Sequence, residues 1–555
     1  MARISKYDLL LIVLVSSVVF IGLGSSSLQD FDEGIYAQVS RQILQNHDWL
    51  TFTFGTEPWF EKPPVFMWAT ALLFRLFGVS EFWARAISAV SSVFVILLTY
   101  IIGSAVFNRR VGLLTVVPLL TGYEFLRQSR LGTMNMLLTL IIMMILVVYI
   151  SASRKSPAFW YLLSVLFSLG FMVKFWAIFV VAVAIGIHLV LEKQVRSTLS
   201  CKHFWGATLV ALVIILPWHL IMYFMHGQDF IDRYIIYDLV ERTLGPLEGN
   251  SGSPRYYFDR LAYDYAPWFF LLPVALILEL RRVIGKWDKS STLLLFVACI
   301  FGIYSLFIGT KIFHYLTPIY PILAIFHASV IIQAYDNSRS MAFSGLVIAS
   351  LIATLTPGSK TILGFFILSG LIILGLFIIR GLAPHLRAFL EAQALRRSQL
   401  SQWITLVSRA LLAYLQTLYD GKGYPKLAVL LMCLFLAIPG VLRSRTLYDG
   451  TESPVEKISS IASASDILYD KTMIALALPS DYENAIAGPA AMFYSARPIR
   501  VAWSEEELFA LTAEGPREII MGEKYIDTLS DEYDFSILAE SPPFIYGVVS
   551  QREQP

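Results

Sequence analysis

The sequence predicts an α-helical polytopic membrane protein of about thirteen transmembrane helices, with extracytoplasmic loop helices and a small C-terminal α/β soluble domain. Three observations predict it. Only 15% of the 555 residues are charged and 56% are hydrophobic, whereas a soluble domain carries roughly a quarter charged residues. Apolar runs of bilayer-crossing length, about 20 residues each, recur through residue 442. Beyond that point the composition returns to that of a soluble protein.

The predicted spans lie near 8–25, 86–107, 111–126, 132–150, 157–173, 175–191, 204–225, 266–280, 291–309, 315–334, 341–356, 361–379 and 426–442. They must be helices, because the bilayer core offers no partner to unpaired backbone groups. Ser25-Ser26-Ser27 follows the first apolar run as in a cleaved signal peptide, but the many later spans make that run an uncleaved anchor. Lys and Arg set the orientation. Short basic loops hold Arg3/Lys6, Arg109-Arg110, Arg154-Lys155, Lys193/Arg196/Lys202 and Arg281-Arg282 with Lys286 and Lys289. The long segments 26–85 and 226–265 carry roughly a quarter of that basic density, which puts them outside and the N-terminus inside. An odd number of spans then places the C-terminal part outside as well, so that the long loops and this domain share one extracytoplasmic face.

Residues 384–421 mix leucines at helical spacing with arginines, the pattern of an amphipathic helix lying on the cytoplasmic surface. In 445–555, β-rich runs (Met473–Leu478, Ile499–Trp503, Glu518–Met521, Phe535–Ala539, Ile545–Val549) alternate with helical stretches at 453–467 and 504–513. That part holds no Gly-rich phosphate loop and no nucleophile elbow, and is assigned no chemistry. The net charge of +2 excludes nucleic acid as a partner. Cys201, Cys299 and Cys433 lie far apart without metal or disulfide spacing and read as packing residues.

The chemistry concentrates in the first long loop. It contains Asp32, Glu33 and Tyr36, then Arg41, Asp48-Trp49 and Trp59-Phe60-Glu61-Lys62-Pro63-Pro64, and ends in Phe77-Gly78 and Arg85. Asp32 and Glu33 fall within about ten residues of a span end, at headgroup level, among aromatic residues that seat a loop in the interface. The two prolines restrict the backbone at Glu61-Lys62.

Asp32-Glu33-x-x-Tyr36, followed by Phe60-Glu61-Lys62-Pro63-Pro64, Phe77-Gly78 and Arg85, resembles the first periplasmic loop of bacterial membrane glycosyltransferases of the C-type superfamily (families 39 and 83). Among these it is similar to the aminoarabinose lipid A transferases and, more distantly, to the protein O-mannosyltransferases. Pro217-Trp218, Tyr256-Tyr257, Pro267-Trp268 and Lys311-x-x-x-Tyr315-x-x-Pro318-x-x-Pro321 extend the likeness over most of the chain. The resemblance implies transfer of a sugar, with inversion, from a polyprenyl-phosphate donor to a hydroxyl of lipid A or another cell-envelope glycolipid, in the inner membrane. Asp32 is by position the catalytic aspartate, a base for the acceptor hydroxyl. Lys62, Arg242, Lys311, Tyr315 and Tyr36 are the candidates for the donor phosphate and sugar. Glu33 and Glu61 are supporting acidic groups, and Glu61 is the candidate ligand for a divalent metal, which some relatives bind.

The chain departs from the family pattern in places. Asn135 stands where relatives carry an acidic residue, Lys174 is followed by Phe175 instead of glycine, and 238–255 lack histidine. His314, His219 and His226 read as hydrogen-bonded histidines at span ends, and Lys174 and Arg130 as candidates shared between turns and substrate. Within the superfamily the alternative is a protein O-glycosyltransferase; outside it, a transporter or flippase. A transporter keeps charges near mid-bilayer, at a cost of about 2.5–3.5 kcal/mol each on insertion scales; here they cluster at span ends. No residue identifies the sugar, the carrier length or the acceptor.

Overall fold

The computed structural model describes residues 6–336, apart from 30, 153–155, 248–249, 266–267 and 287; toward the C-terminus it describes 459, 462, 473–476, 493–494, 499–502, 504–513, 515–530, 532–541 and 544–552. The expected spans 341–356, 361–379 and 426–442 and the amphipathic segment 384–421 lie outside the described residues, as does nearly all of 453–467.

The first apolar run is helix α1 (Lys6–Ser16), tightening to a 3-10 turn over Ser17–Phe20. The carbonyls left open at its end are taken by two buried arginines. Arg130 donates to Val19, Ile21 and Gly22, and Arg85 to Leu23, Ser26 and Ser27.

The first long loop is itself largely helical. Helix α2 (Asp32–Asn46) begins with two carboxylates at its electropositive end and buries Tyr36, Val39, Ser40 and Ile43, one face at helical spacing. A two-residue hairpin, β1 (Thr53–Phe54) with β2 (Glu57–Pro58), turns on Gly55 at φ 66°. Pro64 then precedes α3 (Val65–Phe77), which stops at Gly78, whose φ of 90° favours glycine. Helix α2 packs on α3, and α4 (Glu81–Val106) starts from a Ser80 cap on the Trp83 amide at 3.4 Å.

The expected span 111–126 is not one helix. It divides into α5 (Arg109–Leu114), α6 (Val116–Thr121) and α7 (Tyr123–Arg130), with Gly122 extended between the last two. A Cβ on Gly112 would stand 2.6 Å from the Tyr100 carbonyl, so this glycine lets α5 lie directly against α4. Helix α7 meets α8 (Asn135–Ser151) at a bend of 109°. Helices α9 (Pro157–Lys174), α10 (Ala177–Leu191) and α11 (Val195–Leu199) follow, and α12 (Lys202–Ile231) breaks at Gly227, φ 55°. The second long loop also differs from expectation. Its first part, 232–241, continues α12 as a π-helix into α13 (Arg242–Leu244), the local geometry that re-aims side chains at functional sites.

Helices α14 (Tyr256–Asp264), α15 (Leu272–Lys286) and α16 (Lys289–Phe307) and a 3-10 turn at Phe313–Ile319 lead to α17 (Tyr320–Asp336). Among the described residues five helices are long and apolar enough to cross a membrane, or six if the bent α7–α8 pair is one span. The molecule is thus a predominantly helical, polytopic membrane protein.

The five β-rich runs near the C-terminus pair into one sheet: β3 (Met473–Leu476), β4 (Ile499–Ala502), β5 (Arg517–Gly522), β6 (Tyr533–Ser541) and β7 (Phe544–Gln551), in the order β4-β3-β5-β7-β6. The pairs of β3 with β4 and β5 are parallel, the other two antiparallel. Helices α18 (Glu505–Thr512) and α19 (Tyr525–Leu529) accompany them. This part is tied to the first loop: Leu28 N donates to Tyr494 Oη at 2.7 Å, and Arg41 Nη1 to the Phe493 carbonyl at 2.6 Å.

The frame beneath α2 closes on one buried ion pair. Arg85 grips Glu33 through two hydrogen bonds, Nε to Oε1 at 2.8 Å and Nη2 to Oε2 at 3.0 Å. Gln29 N and Gly132 N donate to the same carboxylate at 2.7 Å each. Arg85→Ala leaves that carboxylate buried and uncompensated, which costs about 3–5 kcal/mol. The expected outcome is a clearly lowered melting temperature of the purified protein in detergent, with Glu33→Gln/Arg85→Met recovering part of the loss; an unchanged melting temperature in Arg85→Ala contradicts the assignment.

Candidate functional site

A cavity of about 360 Å³ opens where α2, the EKPP segment, the start of α8, the end of α9, the π-helical stretch and the 313–319 turn converge. It gathers Asp32, Tyr36, Glu61, Lys62, Arg242 and Tyr315 from distant stretches of chain, together with Asn135, Lys174 and His314. The exposed Glu507 of α18 also lines it.

Asp32 is 44% exposed in its side chain. It accepts a hydrogen bond from Tyr36 Oη at 3.0 Å and faces His314 Nε2 at 4.0 Å. The preceding residue, Phe31, has φ 66°, an uncommon conformation for a bulky side chain; such strain gathers at functional sites. Tyr36 is buried between Trp59 and Phe66. Burial, and then the Asp32 charge, push its phenol well above the usual range, so it remains a donor to the carboxylate.

The same cavity holds a cluster of cations. Lys62 Nζ donates to Asp238 Oδ1 at 2.6 Å and Arg242 Nε to the same oxygen at 3.1 Å. Two cations thus meet at one carboxylate, a grouping that suits an anionic ligand. Arg233 Nη2 donates to Glu61 Oε1 at 2.5 Å and stacks on Tyr237 at 4.0 Å. Glu61 is thus engaged by a guanidinium, and among the described residues no three His, Cys, Asp or Glu side chains are grouped to hold a metal. The residues present do not fit a divalent metal at Glu61.

Two residues expected in the site belong to its frame. Glu33 points away from the cavity into the Arg85 pair, because consecutive helical residues diverge by about 100°. Lys311 Nζ donates to the carbonyls of Ser305, Leu306 and Ile308, closing the end of α16. Burial lowers the pKa of its ammonium below the usual lysine value, and its side chain does not line the cavity. The span-end histidines hold local contacts: His219 bridges the Ile215 carbonyl and Tyr234 Oη, and His226 meets Thr51 Oγ1 at 3.0 Å. Asp238, Arg233 and Tyr237 were not singled out from sequence. The available signal was their helical spacing, Arg233 with Tyr237 and Asp238 with Arg242 at i,i+4, in a stretch expected to be loop.

Comparison with known proteins finds similarity to a family model, to curated proteins and to solved structures. The family model "Dolichyl-phosphate-mannose-protein mannosyltransferase" matches residues 61–221. An undecaprenyl phosphate-alpha-4-amino-4-deoxy-L-arabinose arabinosyl transferase of Shewanella sediminis is 27% identical over 361 residues, 63% of this chain and 63% of its own length. An uncharacterized protein of Aquifex aeolicus is 26% identical over 339 residues, 60% of this chain and 65% of its own length. The chain therefore spans slightly less than two thirds of these relatives. ArnT from Cupriavidus metallidurans, solved with undecaprenyl phosphate bound, superposes with a TM-score of 0.64 at 17% identity, over 98% of both chains. The oligosaccharyltransferase of Archaeoglobus fulgidus superposes with a TM-score of 0.51 at 10% identity, over 94% of this chain and 70% of that one. These two share the fold. Together the matches bear out the resemblance drawn from the sequence: this chain is similar to membrane glycosyltransferases that use lipid-phosphate sugars, and it shares the fold of two of them.

If the Lys62–Asp238–Arg242 cluster is an anion site, Asp238→Ala removes the carboxylate on which Lys62 and Arg242 meet. The variant is then expected to melt lower than the parent and to be stabilised by added inorganic phosphate more strongly than the parent is. Equal phosphate response in both proteins, read by thermal shift in detergent, counts against the cluster as an anion site.

Proposed function

We propose that this chain is an inverting glycosyltransferase that moves a sugar from a polyprenyl-phosphate donor to an acceptor hydroxyl on the extracytoplasmic face of the membrane, with lipid A or another cell-envelope glycolipid as acceptor. The observation that carries the reading is that an accessible carboxylate, Asp32, and the cations Lys62 and Arg242 line one cavity. The distribution of basic loops supports the orientation, with the N-terminus inside and the C-terminal part outside. The likeness to arabinosyl transferases and to a fold solved with undecaprenyl phosphate supports the donor class.

The chemistry follows from the charges. Asp32 accepts the proton of the acceptor hydroxyl as its oxygen bonds to the anomeric carbon, and the carbon–oxygen bond to the lipid phosphate breaks on the opposite face. The phosphate departs with the bonding electron pair and gains negative charge, which Lys62 and Arg242 stabilise. Tyr315 supplies a hydroxyl donor at the same wall, and Tyr36 holds the Asp32 carboxylate in place. A protein hydroxyl as acceptor is the second reading, favoured by the match to the protein mannosyltransferase family.

The test compares envelope lipids and proteins by mass spectrometry from cells with the intact protein, with Asp32→Asn and with none. Asp32→Asn is expected to lower transfer by about 10²–10⁴-fold and to remove the same sugar modification as deletion. A modification that survives in Asp32→Asn but not in the deletion rules out Asp32 as the base. If neither strain changes a glycan while uptake or export of a solute is lost, the enzyme reading falls to the transporter.

A further inference from the structure

A buried series of side-chain hydrogen bonds ends on the cavity wall at Lys174. Lys174 Nζ donates to Asn135 Oδ1 at 2.8 Å. Asn135 Nδ2 donates to Gln128 Oε1 at 3.0 Å, and Gln128 Nε2 donates to Glu124 Oε1 at 2.7 Å. Thr133 Oγ1 donates to the same Gln128 oxygen at 3.2 Å. From Lys174 to Glu124 each side chain of the series donates to the next, and only one orientation of each amide satisfies both of its neighbours. Asn135, Gln128 and Glu124 are at most 3% exposed. The series therefore fixes a neutral carbonyl oxygen, that of Asn135, against the Lys174 ammonium.

The other cations of the cavity each have a carboxylate. Lys62 and Arg242 share Asp238, and Arg233 has Glu61. Among the described residues Lys174 makes no ion pair; its hydrogen-bond acceptor is the amide. An amide at that distance orients an ammonium without cancelling its charge, and it occupies only one of three N–H donors. The Tyr315 ring lies 5.3 Å from Nζ and steadies the cation further. The Asp32 and Asp238 carboxylates and the Lys62 and Arg242 cations act on Lys174 only through space; a half-buried charge whose direct contacts are neutral is compensated best by an anion that arrives with the ligand.

We propose that Lys174 binds an anionic oxygen group of the ligand, a phosphate or a carboxylate, apart from the Lys62–Asp238–Arg242 cluster, with Asn135 and Gln128 as positioning residues. The inference rests on the reading that the cavity takes a polyprenyl-phosphate-linked sugar. The full-length protein in lipid nanodiscs is tested for binding of undecaprenyl phosphate, undecaprenyl-phosphate glucose and undecaprenyl-phosphate glucuronate. Asn135→Asp keeps Lys174 but places a carboxylate beside it; Lys174→Met removes the cation; Lys174→Arg keeps it. The first two variants are expected to lose about tenfold or more in affinity for an anionic probe, and Lys174→Arg to lose less. A loss already seen with undecaprenyl phosphate assigns the anion to the carrier phosphate, and a loss confined to the glucuronate lipid assigns it to the sugar. Unchanged or tighter binding of all three lipids by Asn135→Asp and Lys174→Met overturns the inference while leaving the proposed function intact. An unmodified protein that binds none of the three lipids overturns the functional reading, and this inference with it.

Discussion

The Glu33–Arg85 pair is the constraint on which the rest of the site depends. Four hydrogen bonds converge on one buried carboxylate, from Arg85 twice, from Gln29 N and from Gly132 N. Through Arg85 the same node holds the carbonyls of Leu23, Ser26 and Ser27. It thus joins the exit of the first span, the start of α2, the start of α4 and the turn before α8. A buried pair of this kind contributes little net stability against an apolar alternative, yet its geometry is demanding. What it provides is position. With Glu33 locked inward, Asp32 one residue earlier on the helix faces the cavity, and the positive φ of Phe31 is the local backbone strain that accompanies that arrangement.

Around that fixed carboxylate the cavity is built from elements that contribute a few groups each. The π-helical continuation of α12 brings Arg233, Tyr237 and Asp238 onto one wall, with Arg242 just beyond. The EKPP segment offers Glu61 and Lys62 to these partners, so the first and second long loops are clasped by the Lys62–Asp238 and Glu61–Arg233 pairs. Shared and partly exposed carboxylates leave the cations exchangeable with a ligand anion, unlike Arg85, whose partner is sequestered. The same residue type therefore serves as frame in one place and as binding group in another, according to burial and to how many hydrogen bonds its partner already receives.

Much of this was legible along the chain. Hydropathy pointed to the five helices, six with the bent α7–α8 pair, that are long and apolar enough to cross among the described residues, while the expected spans 8–25, 175–191 and 266–280 form shorter helices. The Asp32-Glu33-x-x-Tyr36 and EKPP elements pointed to Asp32, Tyr36, Glu61 and Lys62, which the fold brings together in one cavity. Arg242, expected from its place in the second long loop, and Tyr315, expected from the resemblance, line the same cavity. Glu33 was expected as a supporting acidic group and Lys311, from the resemblance, as a donor-binding cation; the fold uses both in the frame. Whether such a charge faces a cavity or a backbone carbonyl is set by helix phase and by the neighbouring helix end. The region 111–126 misled in a different way: its hydropathy suits one span, but Gly112, Pro118 and Gly122 let it fold as three short helices against α4.

By itself the sequence determined the solvent this protein lives in, the helical character of its spans and the residue types of its chemistry, because these follow from local composition and short spacing. It also determined the five strands near the C-terminus, whose alternation is a local property. The tertiary structure alone decided which charges meet. Lys62 finds Asp238 across 176 positions and Glu33 finds Arg85 across 52, separations over which no periodicity carries information. It also decided that Lys174 faces a neutral amide, since that contact depends on how α7, α8 and α9 pack and not on any one stretch of chain.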